Sequence, residues 1–218
     1  ADLTNPFVWM VLVSTLLYGV IGFADDYLKI TRKRSLGLTV KQKMLAQWTV
    51  ALLLGLWLLW LADQGRYTTQ FSLPFFKKWT PDLGMWYVPW AMLVIVGAAN
   101  AVNLTDGLDG LAIGSSLIAA GTYAILAYIA GHAKVAGYLD VPNVKGAGEL
   151  SIIFGALVGA SLGFLWFNCN PAQVFMGDVG SMAIGAARGT VAVAIKQEVL
   201  LVLVGGLFVI EALSVILQ

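Results

Sequence analysis

The chain has 218 residues, of which 59% are hydrophobic and only 11% are charged. Soluble domains carry about 25% charged residues, so this composition excludes an ordinary soluble domain and indicates a membrane protein. With a net charge of +1, the chain has no excess of basic residues of the kind that nucleic-acid-binding proteins carry. Its single cysteine, Cys169, excludes an intrachain disulfide.

Seven segments are long and apolar enough, or nearly so, to cross a bilayer, which takes about 20 residues. In chain order they cover residues 6–23, 44–62, 85–99, 111–130, 150–167, 182–195 and 199–218. Their apolar runs are continuous rather than alternating, which predicts helices and not the strands of a β-barrel. The predicted fold is an all-α polytopic membrane protein with a single transmembrane domain, residues 1–218.

Lysine and arginine are distributed unevenly over the loops. The loop at residues 24–43 carries six of them, against three at 63–84 and two at 131–149. Basic residues accumulate on the cytoplasmic side of a membrane protein, so loop 24–43 is predicted to be cytoplasmic. Each span takes the chain to the other side of the membrane. Loops 100–110 and 168–181 are therefore predicted on the same side as loop 24–43, and the N-terminus is predicted outside.

These three loops contain five aspartates, although acidic residues played no part in the predicted topology. They are Asp25, Asp26, Asp106, Asp109 and Asp178. The last two loops are rich in glycine, which lets the backbone approach a ligand closely. Clustered carboxylates suit Mg²⁺, which prefers oxygen ligands and often shares them with substrate phosphates. The pattern favours a metal–phosphate site; the alternative is that these carboxylates are simply solvated.

Lys29 follows Asp26 by three residues and Asp25 by four, so the three share one face if this segment is helical. A lysine binds phosphate as a point charge, which makes Lys29 and Lys41 candidate substrate contacts. The basic run at 32–34 is better explained by topology and anionic lipid headgroups.

Two charged residues, Arg188 and Glu211, fall inside predicted spans, where a charge is costly without a partner. One interpretation is that each lines a polar cavity separately; the alternative is that the two pair. In the last span, Gly205-Gly206 predicts a bend that opens a lipid-facing groove; close helix packing by small residues is the alternative.

Three stretches of the chain resemble known motifs, and the second does so nearly letter for letter. They are FADDYLK at 23–29, NAVNLTDGLDGLA at 100–112 and FNCNPAQVFMGDVGS at 167–181. Together they resemble the polyprenyl-phosphate N-acetylhexosamine-1-phosphate transferases. Within that superfamily, NLTDGLDGLA, PAQVFMGD and the final EALSVILQ are most similar to the MraY-type family of phospho-N-acetylmuramoyl-pentapeptide transferases. The resemblance runs from the third to the ninth of that family's ten helices.

The resemblance implies a reaction in peptidoglycan synthesis at the cytoplasmic face of the bacterial inner membrane. Phospho-MurNAc-pentapeptide passes from UDP-MurNAc-pentapeptide to undecaprenyl phosphate with Mg²⁺ as cofactor, which gives lipid I and UMP. Membrane lipid is a further partner. Homodimers are typical of the family, so a homodimer is an expected assembly, and no nucleic acid is expected to bind.

The resemblance also implies residue roles. Asp178 is the expected Mg²⁺ ligand, and Asp25 is the expected base towards the lipid phosphate, supported by Asp26. The alternative makes one of the latter two a covalent nucleophile. The uridine pocket is expected to contain Asn103, Asp106, Phe175 and Gly177, while the expected site-lining residues are Lys29, Lys41, Asp109 and Asn168.

Parts of the family pattern have no counterpart in this chain. They are the first two helices, the last helix and the histidine-rich loop before it; the one histidine, His132, falls in an outer loop. We therefore expect an internal stretch of a longer protein. The alternatives are a sister WecA-type enzyme that uses UDP-GlcNAc, a transporter, and a catalytically inactive fragment that serves as a binding partner.

Overall fold

The computed structural model of the protein describes residues 1–33, 36–74, 76 and 79–217. Three of the basic residues that set the predicted topology, Arg34, Lys77 and Lys78, lie outside the described residues, as does Gln218 at the predicted end of the last span. Within the described residues the chain forms helices and no strand; its one β-bridge joins Gln70 to Asp82.

The helices are labelled in chain order. Their bounds are α1 Pro6–Arg32, α2 Val40–Asp63, α3 Tyr87–Thr105, α4 Leu111–Gly131, α5 Ala133–Leu139, α6 Leu150–Asn168, α7 Gly177–Ala194, α8 Leu200–Val204 and α9 Gly206–Leu217. Five of them, α1, α2, α3, α4 and α6, are long and apolar enough to cross a membrane. The protein is therefore a multi-pass, all-α membrane protein.

Local sequence explains where the first two helices begin. Asn5 caps α1, because its side chain accepts a hydrogen bond from the Phe7 N–H, and Pro6 occupies the first turn. Thr39 and Gln42 form a capping box at the start of α2. Each helix therefore begins at a fixed residue, which fixes the face that each later side chain occupies.

Three predicted loops are shorter than expected, because helices extend into them. In loop 24–43, α1 continues to Arg32 and α2 begins at Val40; in loop 100–110, α3 continues to Thr105; in loop 168–181, α7 begins at Gly177. Hydropathy marks only the length of chain in the hydrocarbon, whereas backbone hydrogen bonding continues a helix beyond the bilayer. The acidic motifs thus lie largely on helix ends rather than on flexible loops.

The helix α7 lies at the centre of the bundle. Its most extensive contacts are with α1 and α3, and every residue from Gly185 to Ile195 is buried. It is not among the five long apolar helices, since it carries Asp178, Arg188 and several glycines. A helix enclosed by other helices needs small residues for close packing rather than a lipid-facing apolar surface.

The last predicted span is not one continuous helix. It breaks at Gly205, which separates the five-residue α8 from α9. A Cβ added at Gly206 would meet open space, so close packing does not explain that glycine. The structure therefore supports the predicted bend.

Of the two alternatives for Arg188 and Glu211, the pair is not formed. No carboxylate of the described residues lies within 4.0 Å of the Arg188 guanidinium, which instead stacks on Phe208 with Cζ 4.0 Å from the ring centroid. The helix is interrupted at Gly205, before Glu211, so a comparison of depth along two continuous helices does not predict which residues meet.

Replacing Gly185 by alanine is expected to destabilise the bundle. The added Cβ would lie 2.6 Å from the Ala98 carbonyl oxygen and 2.6 Å from Ala99 Cα, both backbone atoms of α3. Overpacking of this kind costs about 1–3 kcal/mol, so the apparent Tm in detergent should fall by several degrees. In the matched Gly163→Ala control no atom lies within 4 Å of the new Cβ. Equal melting temperatures of the two variants would contradict the packing described for α7.

Candidate active site at one end of the helix bundle

Three aspartates from two helices meet at one end of the bundle. Asp25 and Asp26 lie on α1 and Asp178 lies in the first turn of α7, and one carboxylate oxygen of each lies within 4.8 Å of the others. The close approach depends on Gly22, where a Cβ would lie 2.2 Å from the Asp178 carbonyl oxygen. Any larger residue at position 22 would hold α7 away from α1 and separate the three carboxylates.

The Lys29 ammonium lies among all three carboxylates. Its Nζ is 2.6 Å from Asp25 Oδ2, 3.2 Å from Asp26 Oδ1 and 3.0 Å from Asp178 Oδ2. The first two distances follow from the predicted helical spacing, since α1 continues through Lys29. The third is a tertiary contact that sequence spacing alone does not predict.

A second lysine, Lys43, also reaches the carboxylates and was missed by the sequence analysis. Its Nζ lies 2.9 Å from Asp178 Oδ2. The predicted contact Lys41 is exposed instead, without a hydrogen-bond or ion-pair partner among the described residues. A usable signal was present in the sequence: Lys43 shares the inward face of α2 with Gln47, Ala51 and Leu54, which are all buried.

Gln47 holds this part of α2 in place, one turn after Lys43. Its side chain and that of Asn100 on α3 exchange hydrogen bonds, with 2.6 Å between Asn100 Nδ2 and Gln47 Oε1. The Tyr18 hydroxyl on α1 donates to the Gln47 carbonyl oxygen at 3.0 Å. This buried polar layer joins three helices and thereby sets the position of the lysine above it.

Asp26 binds the beginning of α7. Its Oδ2 accepts hydrogen bonds from the backbone N–H groups of Asp178 at 3.0 Å and Val179 at 3.4 Å. A carboxylate at a helix N-terminus satisfies free N–H groups and interacts favourably with the helix dipole. Gly177 has φ of 63°, and a Cβ there would lie 2.9 Å from Asp26 Oδ2. The predicted close approach at Gly177 is thus made by the Asp26 side chain.

Asp25 is nearly inaccessible, with 4% of its surface exposed. Its Oδ1 accepts a hydrogen bond from the Leu38 N–H at 2.7 Å, while Oδ2 faces Lys29. A Cβ at Gly37 would lie 2.5 Å from Asp25 Oδ1, so only glycine allows the 37–38 backbone to pass this close.

Two of the predicted uridine-pocket residues lie on the α3 side of the cluster. The Asn103 amide donates to Asp178 Oδ1 at 2.7 Å and to the Ser181 hydroxyl at 2.9 Å. Asp106, directly after α3, has its pKa raised by burial and by the nearby charges of Asp178 and Asp26. Asn103 is helical because α3 extends beyond the predicted span.

Hydrogen bonding keeps Asp178 ionised. Partial burial alone would raise the pKa of its carboxyl, but hydrogen bonds donated by Lys43, Asn103 and Lys29 outweigh burial and hold that pKa well below its usual range. Two ammonium groups against three carboxylates leave the cluster with one net negative charge. An anionic, oxygen-lined cluster of this kind favours a cation.

The remaining predicted residues join the two glycine-rich loops. Asn168 is buried, accepting from the Gly110 N–H at 3.1 Å and donating to the Val174 carbonyl oxygen at 2.8 Å. Asp109 accepts from the Ala172 N–H at 3.1 Å. The ring of Phe175 is 74% exposed. The hydrogen bonds of Asn168 and Asp109 among the described residues hold one loop against the other and do not include the three clustered carboxylates.

Comparison with known proteins agrees with this arrangement. Residues 8–196 match the family model described as Glycosyl transferase family 4. Because the match covers most of the chain, the protein belongs to glycosyl transferase family 4. The resemblance noted from the acidic motifs is therefore confirmed at the level of the family.

Three relatives indicate which members of the family are similar. The chain is 57% identical to the phospho-N-acetylmuramoyl-pentapeptide-transferase of Citrifermentans bemidjiense and 56% identical to the proteins of the same name from Geobacter sp. strain M21 and Desulforapulum autotrophicum. Each match covers 100% of this chain and 60% of the relative. The chain thus spans about three fifths of the length of these relatives.

Lys29→Met is expected to make the protein less stable at pH 7.5 than at pH 5. Without the ammonium, three carboxylates lie close together, and their repulsion should lower stability by about 1–2 kcal/mol at pH 7.5, after allowance for the partial exposure of Lys29. Protonation of a carboxylate relieves that repulsion, so the apparent Tm in detergent should rise as the pH falls towards 5. Added Mg²⁺ should restore it at pH 7.5.

The control is Arg32→Met, which removes an exposed positive charge from the same helix. This variant should melt with the wild-type dependence on pH. If both variants gave the same pH profile, Lys29 would not be the residue that neutralises the cluster.

Proposed function

We propose that the protein transfers phospho-MurNAc-pentapeptide from UDP-MurNAc-pentapeptide to undecaprenyl phosphate, which yields lipid I and UMP. The observation that carries this proposal is that three carboxylates and two ammonium groups lie together. The carboxylates are those of Asp25, Asp26 and Asp178, and the ammonium groups of Lys29 and Lys43 each lie within 3.2 Å of a carboxylate oxygen. Carboxylates offer sites for a cation and ammonium groups offer sites for phosphate. Both are required where two phosphorylated substrates react.

The donor set fits a magnesium ion. Carboxylate oxygens from Asp25, Asp26 and Asp178 converge within 4.8 Å, and hard cations such as Mg²⁺ prefer oxygen ligands. Asp178 is the proposed principal ligand, because its pKa is held low and its carboxylate therefore stays ionised. When bound, Mg²⁺ neutralises diphosphate charge and thus favours departure of UMP.

The two lysines supply the complementary charge for the phosphates. Lys29 occupies the space between the carboxylates, with its side chain 35% exposed, and Lys43 approaches from α2 with 18% exposed. We propose that Lys29 exchanges these carboxylates for substrate phosphate oxygens when substrates bind. This exchange offsets the charge that accumulates when two anionic substrates meet.

Asp25 is the proposed general base. The proton leaves the phosphate of the lipid acceptor for Asp25 Oδ2, the freed phosphate oxygen attacks the sugar-side phosphorus, and the bond from that phosphorus to the UMP oxygen breaks. Asp25 Oδ2 faces Lys29, so a phosphate held by Lys29 would lie beside this base. A trapped phospho-aspartyl enzyme would support the alternative, a covalent mechanism.

The uridine is proposed to bind beside α3. Asn103 and Asp106 lie there as polar partners, and Phe175 presents an exposed ring suited to stacking on a base. Lys41, Asp109 and Asn168 remain predicted site-lining residues; the contacts of the last two support them as residues that position the loops.

The polyprenyl tail is proposed to lie along the apolar helices, and the helix break at Gly205 supports a groove for it beside α9. The basic residues of the 24–43 segment favour a cytoplasmic site in a bacterial inner membrane. A sister enzyme that uses UDP-GlcNAc would share the aspartates, but the names of the relatives favour the muramoyl substrate. A transporter is disfavoured, because the carboxylates cluster at one end of the bundle rather than near the midplane.

Asp178→Asn is expected to lower Mg²⁺-dependent UMP release by at least about 100-fold, as loss of a group that stabilises charge in the transition state commonly does. The assay uses a full-length form, in which this chain replaces the matching segment of the Citrifermentans bemidjiense relative. The donors are UDP-MurNAc-pentapeptide and UDP-GlcNAc, with undecaprenyl phosphate as acceptor.

Asp63→Asn is the matched control, since Asp63 is exposed at the far end of α2. It should keep the wild-type rate. Full Mg²⁺-dependent turnover by Asp178→Asn would refute the metal assignment, and release with UDP-GlcNAc alone would refute the muramoyl substrate.

Lys43→Ala and Lys41→Ala separate the two lysines of the same turn. Lys43 contacts Asp178 and Lys41 does not. Loss of Lys43 should therefore reduce the UMP-release rate of the full-length form by at least about tenfold, the effect of one charge-assisted interaction. Lys41→Ala should reduce it less. The reverse order would favour Lys41 as the substrate contact predicted from the sequence.

A further inference from the structure

Each of the three clustered aspartates has one carboxylate oxygen that a fixed donor already holds. The pairs are Asp25 Oδ1 with the Leu38 N–H, Asp26 Oδ2 with the Asp178 N–H, and Asp178 Oδ1 with the Asn103 side-chain amide. Two of these donors are backbone groups and the third lies on α3, so they fix how each carboxylate is turned. The other oxygens, Asp25 Oδ2, Asp26 Oδ1 and Asp178 Oδ2, are the three inner oxygens of the cluster.

The three inner oxygens converge on one cation, the Lys29 ammonium. Its Nζ lies 2.6 Å from the oxygen of Asp25, 3.2 Å from that of Asp26 and 3.0 Å from that of Asp178. A divalent cation such as Mg²⁺ would take the same atoms, because hard cations bind carboxylate oxygens directly. Two cations cannot share these oxygens at contact distance without strong repulsion. Lys29 and a divalent cation are therefore alternative occupants of this position.

Lys43 lies beside this position rather than in it. Its Nζ is 2.9 Å from Asp178 Oδ2 and 4.0 Å from Asp25 Oδ2, and among the described residues it makes no ion pair with Asp26. The Lys43 side chain is 18% exposed, against 35% for Lys29. Lys29 is thus the ammonium that contacts all three carboxylates, and it is also the one more open to solvent.

The charge of the site depends on which cation holds the inner oxygens. With the two lysines alone, the cluster carries one net negative charge, which disfavours a diphosphate. Addition of a divalent cation changes this sum to one net positive charge. Lys29 is tethered to α1 next to the site, so after leaving the inner oxygens its ammonium stays within reach of an anion bound there. An ammonium binds phosphate as a point charge.

We propose that Lys29 competes with the metal for the inner oxygens and couples metal binding to capture of the diphosphate. Lys29 holds these oxygens in the substrate-free protein, yields them to a divalent cation, and then binds the diphosphate of the donor. The cation is therefore bound weakly without nucleotide, and a nucleotide that retains the ammonium strengthens its binding. Linkage requires the cation to strengthen nucleotide binding by the same factor. This inference rests on the metal site of the proposed function, but not on the identity of the sugar or of the acceptor.

Binding of Mn²⁺, a paramagnetic substitute for Mg²⁺, tests the competition without catalysis. Free Mn²⁺ is measured by electron paramagnetic resonance during titration of the full-length form in detergent, with no acceptor lipid present. Without nucleotide, Lys29→Met should bind Mn²⁺ at least about tenfold more tightly than the unmodified protein, because no ammonium has to be displaced. With UDP-MurNAc-pentapeptide, the affinity of the unmodified protein should rise at least about tenfold, and that of Lys29→Met should rise less.

Three further variants serve as controls. Lys43→Met removes an ammonium beside the inner oxygens, so it should tighten Mn²⁺ binding less than Lys29→Met does. Arg32→Met removes an exposed charge from the same helix as Lys29 and should change the affinity by less than about twofold. Asp178→Asn should weaken binding at least about tenfold, which identifies this cluster as the place where the ion binds.

A measurement on the unmodified protein makes the test independent of how well the variants fold. Carboxylates that engage an ammonium keep it in the charged, unreactive form, so acetylation of Lys29 should be at least about threefold faster with Mn²⁺ than without it. Acetylation of the exposed Lys41 should not change. Peptide mass spectrometry measures both rates.

Three results would each overturn the competition. They are equal nucleotide-free affinities of Lys29→Met and the unmodified protein, equal gains in Lys29→Met and Lys43→Met, and an unchanged acetylation rate of Lys29. The metal site would still stand in these cases if Asp178→Asn weakened binding. Mn²⁺ binding that Asp178→Asn leaves unchanged would instead refute the metal site itself, and this inference with it.

Discussion

The contact between α1 and the first turn of α7 is the feature on which the rest of the site depends. Gly22 permits the two backbones to meet, and Asp26 then binds the N–H groups that begin α7. One carboxylate thereby acts both as a helix cap and as a member of the acidic cluster. Because the cap fixes the start of α7, it also fixes Asp178 beside Asp25.

Placing three carboxylates together is costly unless positive charge compensates for them. Lys29 compensates from within α1 and Lys43 from α2, so three helices must be docked before the cluster is neutralised. The polar layer of Tyr18, Gln47 and Asn100 beneath it orients those helices without adding charge. The arrangement couples the stability of the fold to the chemistry of the site.

The central helix α7 carries different chemistry at its two ends. Its beginning contributes Asp178 to a partly buried, anionic cluster, and its second half carries the buried Arg188 to the wall of a mainly apolar cavity. Enclosure by α1 and α3 allows a helix of this composition to exist within a membrane. An Arg188 on a lipid-facing helix would instead have to reach the membrane surface.

The sequence by itself determined the helical membrane fold, the acidic motifs and the face that Lys29 shares with Asp25 and Asp26, because hydropathy and helical spacing are local properties. It misjudged the ends of α1, α3 and α7, since hydropathy marks where hydrocarbon ends and not where a helix ends. Only the tertiary structure revealed Lys43 in place of Lys41 beside Asp178, the loop-bridging contacts of Asn168, and Arg188 against Phe208 rather than Glu211. These contacts join residues far apart in the chain, and they depend on helix rotation and on the break at Gly205, which are set by packing between helices.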